Sequence, residues 1–127
     1  MHNGKYIFQK SKKLRYECTR VIKTALKSNA LMQINSSELK NFFDKKPNCK
    51  LHKIQYYDET DLKLVNSLIK NKLKDKRRVI AVMKGARNTT LDHLNFIWTS
   101  ILKSAKNVSW AYYVSSRKDN SIYLLSY

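Results

Sequence analysis

Between Lys12 and Ser28 the apolar residues Leu14, Cys18, Val21, Ile22, Ala25 and Leu26 recur at the spacing of one helical stripe. Asn35 followed by Glu38 resembles a capping pair. It predicts a short helix carrying Leu39, Phe42 and Phe43, which Pro47 closes. Residues 5–9 fit a short strand or a lead-in to the first helix. From Leu51 to Tyr57 the pattern alternates, with Leu51, Lys53, Gln55 and Tyr57 on one side and His52, Ile54 and Tyr56 on the other, as in a strand. Asp58 to Asp61 supplies acidic helix-start residues, and Leu62, Val65, Leu68, Ile69 and Leu73 then mark a helix. Val79 to Met83 is almost wholly apolar, the signature of a central strand buried on both faces, and Gly85 ends it. Thr89 with Asp92 predicts the next helix cap, and Leu91, Leu94, Ile97, Trp98, Ile101 and Ala105 its buried stripe. Val108 to Val114 and Ser121 to Tyr127 read as two strands, with Arg117 to Asn120 as a hairpin turn between them.

From residue 51 the order is therefore strand, helix, strand, helix, strand, strand. Right-handed crossovers put both helices on one face of a four-stranded mixed sheet. The other face is left open or is covered by the N-terminal helices. The predicted fold class is α/β, a two-layer sandwich preceded by two N-terminal helices. Residues 1–50 form a helical extension packed on an α/β core at 51–127, in one compact domain. Gly4, Gly85 and Pro47 are the sole Gly and Pro residues, so no flexible linker is expected.

Charge changes the picture most. Twenty-six Lys and Arg oppose nine Asp and Glu, a net charge of +17. Such an excess repels itself, and an anionic partner relieves the repulsion. Nucleic acid, an anionic membrane and an acidic protein all qualify. Nucleic acid ranks first, because neutralising phosphates releases counterions. The abundance of Lys, Asn, Ile and Tyr also fits a soluble protein from an AT-biased genome.

The cations cluster. Lys70, Lys72, Lys74, Lys76, Arg77 and Arg78 run from a helix end into the central strand. A helix C-terminus attracts a few cations through its dipole, but six in nine residues exceed that need. Lys84 and Arg87 flank Gly85 at the opposite end of that strand, Lys10, Lys12, Lys13 and Arg15 form a third cluster, and Arg117 with Lys118 occupies the expected turn. Tyr56, Tyr57, Trp110, Tyr112, Tyr113 and Tyr123 fall on expected strands, where an open sheet face would let some of them stack on bases.

Catalytic patterns are weak. His2, His52 and His93 lie in no metal motif, and His93 is expected on the polar side of its helix. Cys18 and Cys49 form no metal-type pair; their spacing leaves a single disulfide open, and reduced, buried thiols are the default for them. Neither an enzyme, a metal, a cofactor nor a small-molecule substrate is expected. Met1 to Lys13 lacks the apolar region of a signal peptide, and no apolar run approaches the ~20 residues that cross a bilayer. A cytoplasmic or organellar-matrix location, with no membrane partner, is the expectation.

Three resemblances follow from particular residues. Gly4-Lys5-Tyr6-Ile7-Phe8-Gln9-Lys10-Ser11-Lys12, Val79 to Gly85 with Arg87, and Asn120-Ser121-Ile122-Tyr123-Leu124-Leu125 resemble segments around the C-terminal domain of bacterial-type translation initiation factor three. That resemblance implies contact with ribosomal RNA through basic loop residues, Lys84 being the one carried over, with Ala86 in place of the motif's second Arg. The same element order resembles the Alba nucleic-acid-binding fold, of whose G-R-A segment Gly85-Ala86-Arg87 is a permuted echo. Leu14 to Tyr127 also resembles the second domain of tubulin-like cell-division proteins, through Ile34-Asn35 and Thr90-Leu91-x-x-Leu94-Asn95. That domain carries a pair of catalytic aspartates after the Asn, whereas Ser36, Ser37 and Lys40 stand here and leave the acidic pattern unmet.

The function expected from sequence is RNA binding within a ribonucleoprotein, ribosome-associated as a translation factor or ribosomal protein, with possible protein neighbours in that particle. The RNA-binding residues would be Lys10, Lys12, Lys13, Arg15, Lys72, Lys74, Lys76, Arg77, Arg78, Lys84, Arg87, Arg117 and Lys118. The alternative is a protein-interaction module docking on an acidic partner, such as a cell-division tubulin-like filament.

Overall fold

The computed structural model describes residues 12–27, 50–57 and 59–127. The expectations at 5–9, for the helix capped by Asn35, for Cys49 and for Asp58 lie outside the described residues, as does Lys10. The chain runs through helix α1 (Lys12–Lys27), strand β1 (Lys50–Tyr56), a single 3-10 turn (Glu59–Asp61), helix α2 (Leu62–Leu73), strand β2 (Val79–Gly85), helix α3 (Leu91–Ser104), strand β3 (Val108–Val114) and strand β4 (Asn120–Ser126).

The four strands form one mixed sheet in the order β1-β4-β2-β3. β4 is antiparallel to both β1 and β2, and β2 is parallel to β3. The α/β class expected from sequence holds. The hairpin does not: β2 lies between β3 and β4, so Arg117 and Lys118 belong to a connection that steps across the end of β2. Hydrogen bonds fasten that step, from Ser115 N to Gly85 O at 2.9 Å and from Arg87 N to Arg117 O at 3.3 Å. The physical reason lies in β4, which is buried at every position. A strand apolar on both faces gains most from an interior place, while β3, with exposed Val114 and half-buried Tyr112 and Tyr113, suits an edge.

One sheet face packs Ile54, Tyr56, Val79, Ala81, Met83, Trp110, Ile122 and Leu124 against Val65, Ile69 and Leu73 of α2 and Leu94, Ile97 and Ile101 of α3. The other face packs Ile80, Val82, Ala111, Tyr123 and Leu125 against Cys18, Val21 and Ile22 of α1. Of the two possibilities left by the sequence, the second face is therefore the covered one. Each fully buried aliphatic side chain contributes about 1.5–3 kcal/mol, so α1 adds substantially through three side chains.

Helix α3 differs from its expected frame. Its N-cap is Thr90, whose hydroxyl accepts from His93 N at 3.2 Å, while the Thr89 hydroxyl donates to Asn120 Oδ1 at 2.9 Å. The buried positions are His93, Leu94, Ile97, Ser100 and Ile101, and Leu91 is 76% exposed. His93 is thus a core residue: its Nε2 lies 2.5 Å from the Tyr56 hydroxyl, a partner that offsets the cost of burying the ring.

Candidate functional site

The sheet separates the basic clusters. At the end where β2 begins, Lys70 and Lys72 stand in the last turns of α2, and Lys74, Lys76, Arg77 and Arg78 follow in the loop. Several of these groups have structural work. The Arg78 guanidinium donates to Val79 O at 2.9 Å, to Asn107 O at 3.1 Å and to Ser109 Oγ at 2.5 Å, and so ties β2 to the start of β3. The backbone of Arg77 and Arg78 donates to Tyr127 O at 2.7 and 3.3 Å, tying the same loop to the end of β4. Lys12, Lys13 and Arg15 lie on the backbone of α1.

At the other end, where β2 finishes, Lys84 and Arg87 stand close to Arg117, and Lys118 follows it in the β3–β4 connection. Only Lys84 and Arg117 of these join a larger charged group beneath α1, with Lys53 and Arg20 as the further cations and Glu17 and Asp119 as the carboxylates. Lys53 Nζ lies 2.5 Å from Glu17 Oε2 and 5.5 Å from the centroid of Tyr123. The Tyr123 hydroxyl donates to the same Glu17 oxygen at 2.5 Å. Arg117 Nε donates to Asp119 Oδ1 at 3.1 Å, and Gln55 Nε2 donates to the other Asp119 oxygen.

Sheet register explains the convergence. Lys53, Tyr123 and Val82 share one row across β1, β4 and β2, and Lys84 lies two residues beyond that row, opposite Ser121 and Tyr113. Because strand side chains alternate in direction, Lys53, Lys84 and Tyr123 all face α1. Arg20 then follows Glu17 by just under one helical turn.

The electrostatics reflect this crowding. Burial alone would raise the Glu17 carboxyl, but hydrogen bonds from Lys53 and Tyr123 outweigh it and hold the group below its ordinary value. The Asp119 carboxyl is lowered in the same way, burial opposing and Gln55 and Arg117 prevailing. Lys84 is pushed down, first by burial and then by the charges of Arg117, Lys53 and Arg20, with Asp119 acting the other way. Sequence reading picked out Lys84 and Arg117 but missed Lys53 and Arg20. The alternation of β1 had set Lys53 beside Leu51 and Gln55, and the missing information was that α1 would cover that side.

A second polar place lies nearby. A cleft of about 290 Å³ is lined by Tyr57, Glu59, Thr60, Asn88, Thr89, His93 and Asn120. Its buried groups serve the fold: Asn120 Oδ1 accepts from Ala86 N at 2.8 Å as well as from Thr89, and Asn120 Nδ2 donates to Tyr57 O at 3.4 Å. Among the described residues, no group of three or more His, Cys, Asp or Glu side chains is arranged to hold a metal. No described helix is long and apolar enough to cross a membrane.

Of the aromatics expected to stack on bases, Tyr57 is exposed and Tyr112 and Tyr113 are half-buried, but the other three are taken up by the core. Tyr56, Trp110 and Tyr123 are 0%, 4% and 2% exposed, and helices cover both sheet faces. The architecture is instead that of a three-layer α/β domain with sheet order β1-β4-β2-β3 and parallel pairing at one edge. No family model matches the sequence, nor does any curated protein. Among solved structures the fold is shared with a mutant FtsZ of M. jannaschii, with a TM-score of 0.64 at 9% identity over 93% of this chain and 41% of that one. An empty FtsZ dimer of the same organism gives 0.58 at 12% identity over 93% and 40%. CetZ from Methanosaeta thermophila gives 0.52 at 15% identity over 89% and 35%. The chain therefore spans about two-fifths of the length of these FtsZ structures.

These likenesses correct the sequence-based resemblances to initiation factor three and to Alba. The fold matches that of the tubulin-like proteins, the third resemblance. RNA binding, a ribosomal or translational role and an RNA partner fall with the first two, since they rested on those families, on net charge and on an open sheet face that α1 occupies.

Proposed function

We propose that this chain is a protein-interaction module of tubulin-like second-domain fold, which docks on an acidic protein partner such as a cell-division tubulin-like filament. It performs no chemistry of its own and works in the cytoplasm. The observation that carries the reading is the FtsZ and CetZ likeness over nearly the whole chain. The net +17 adds attraction to an acidic surface and opposes close packing against another copy of this chain. Ser36, Ser37 and Lys40 stand where the tubulin-like pattern places its acidic pair, which favours a partner role over a catalytic one.

Sedimentation tests the proposal. The full chain is mixed with polymerised FtsZ and centrifuged across a salt series. It is expected to pellet with the polymer at low salt and to leave it as salt screens the contact, the Debye length falling from about 30 Å at 0.01 M to about 10 Å at 0.1 M. A chain that stays in the supernatant at low salt overturns the reading.

A further inference from the structure

We propose that the patch formed by Arg20, Lys53, Lys84 and Arg117 is the docking surface for an acidic peptide segment of the partner, with Lys84 receiving a carboxylate. The inference rests on the protein-interaction reading and names the part of the molecule that carries it.

Four separate elements meet at the patch: α1 brings Arg20, β1 brings Lys53, β2 brings Lys84, and the β3–β4 connection brings Arg117. Four cations face two carboxylates there, and those two are already engaged. Glu17 holds Lys53 and the Tyr123 hydroxyl, and Asp119 holds Arg117 and Gln55. Lys84 is left half-buried, with no carboxylate or other acceptor bonded to its ammonium among the described residues. Like charges from Arg117, Lys53 and Arg20 oppose it. A half-desolvated cation among cations is costly to maintain, and an incoming carboxylate relieves the repulsion and supplies the missing acceptor.

The rim is accessible, because Arg20 is exposed and the Arg117 side chain is 64% exposed. The opposite basic end differs. Arg78 there already bonds three oxygens, and Lys70 and Lys72 sit at a helix C-terminus whose dipole accounts for them. Charge density alone would favour that end; unmet bonding capacity favours Lys84.

The test uses a fluorescently labelled oligo-glutamate peptide and the full chain, with anisotropy as the readout. Lys84→Gln combined with Arg117→Gln removes two charges from the patch, and Lys74→Gln combined with Arg77→Gln removes two from the opposite end. The patch variant is expected to weaken binding about tenfold and the other by less than about twofold. Lys84→Gln alone breaks no described bond, so it is expected to fold and to show most of the loss, which Lys84→Arg restores. Equal weakening by both double variants overturns the proposal, because binding would then follow net charge alone. An oligouridine RNA that binds more tightly than the peptide with the same Lys84 dependence overturns the choice of occupant. Co-sedimentation with FtsZ that persists unchanged in Lys84→Gln sinks this inference while sparing the proposed function; absence of co-sedimentation in the unaltered chain sinks the proposed function, and this inference with it.

Discussion

Asp75 has a φ of 62°, the one positive value among the described non-glycine residues. It follows Lys74, whose φ and ψ of −57° and 129° begin a type II turn. Lys76 N donates to Leu73 O at 3.1 Å and closes the turn as α2 ends. The third position of such a turn favours glycine, because a Cβ in the left-handed region clashes with the following carbonyl at a cost of roughly 1–2 kcal/mol. Asp tolerates the conformation better than most residues, which accounts for its presence. Asp75→Gly is therefore expected to stabilise the protein by up to about 1 kcal/mol, read as a higher urea midpoint with unchanged slope. An unchanged or lower midpoint would mean that the Asp side chain contributes more than its strain costs. Gly85 illustrates the converse at the end of β2, since a Cβ there would come within 2.6 Å of the Tyr112 ring.

Among the elements, α1 has the most conditional attachment. Its apolar anchor is Cys18, Val21 and Ile22, and its polar anchor is Glu17 with Lys53 and Tyr123, at the side of which Lys84 adds attraction. The carboxyls of Glu17 and Asp119 are held lower in the folded protein than in the unfolded chain. Their contribution is thus fully present above the unfolded carboxylate value, near pH 4, and is lost as pH falls through the lower folded values. Stability to urea is expected to be flat in this respect above about pH 5 and to decline below about pH 4. Glu17→Gln should flatten part of that decline, and an identical acid profile in the variant would show that the α1 contact is not titrating.

The elements were also the most legible part of the sequence. Hydrophobic patterning placed β3 at Val108–Val114, as observed, and β1, β2 and β4 to within two residues at either end. The described part of the α1 stripe is buried where the spacing set it. Pairing was less legible, because a five-residue connection of turn composition between two strands looks the same whether the strands are neighbours or have a third between them. Only the double-faced burial of β4 decides that, and its sequence hints at it through four consecutive apolar residues, Ile122 to Leu125, rather than an alternation. His93 was misplaced because Leu91, Trp98 and Ala105 drew the expected stripe to one side of Leu94, Ile97 and Ile101, whereas the buried face extends to the other side, over His93 and Ser100.

At the scale of the whole molecule, net charge is informative about attraction and silent about its object. The +17 is equally compatible with phosphate and carboxylate partners, and sequence reading settled on phosphate through counterion release, with family resemblances that the fold does not share as support. What distinguishes partners is geometry: which sheet face is covered, which guanidinium already has its acceptors, and which ammonium does not. Lys84 was visible as a loop cation, yet its company depended on contacts between α1 and β1 that no local window contains.

The account stands on a specific fit between this chain and an acidic tubulin-like filament. Its most direct test is a binding isotherm of the labelled full chain on polymerised FtsZ, set beside an unrelated polymer of matched negative charge density at the same salt. Saturable binding is expected on FtsZ, at a fixed ratio of chain to subunit, with affinity at least about tenfold above that for the control polymer. Equal affinity for the two polymers would contradict the account, leaving net charge as the whole of the attraction.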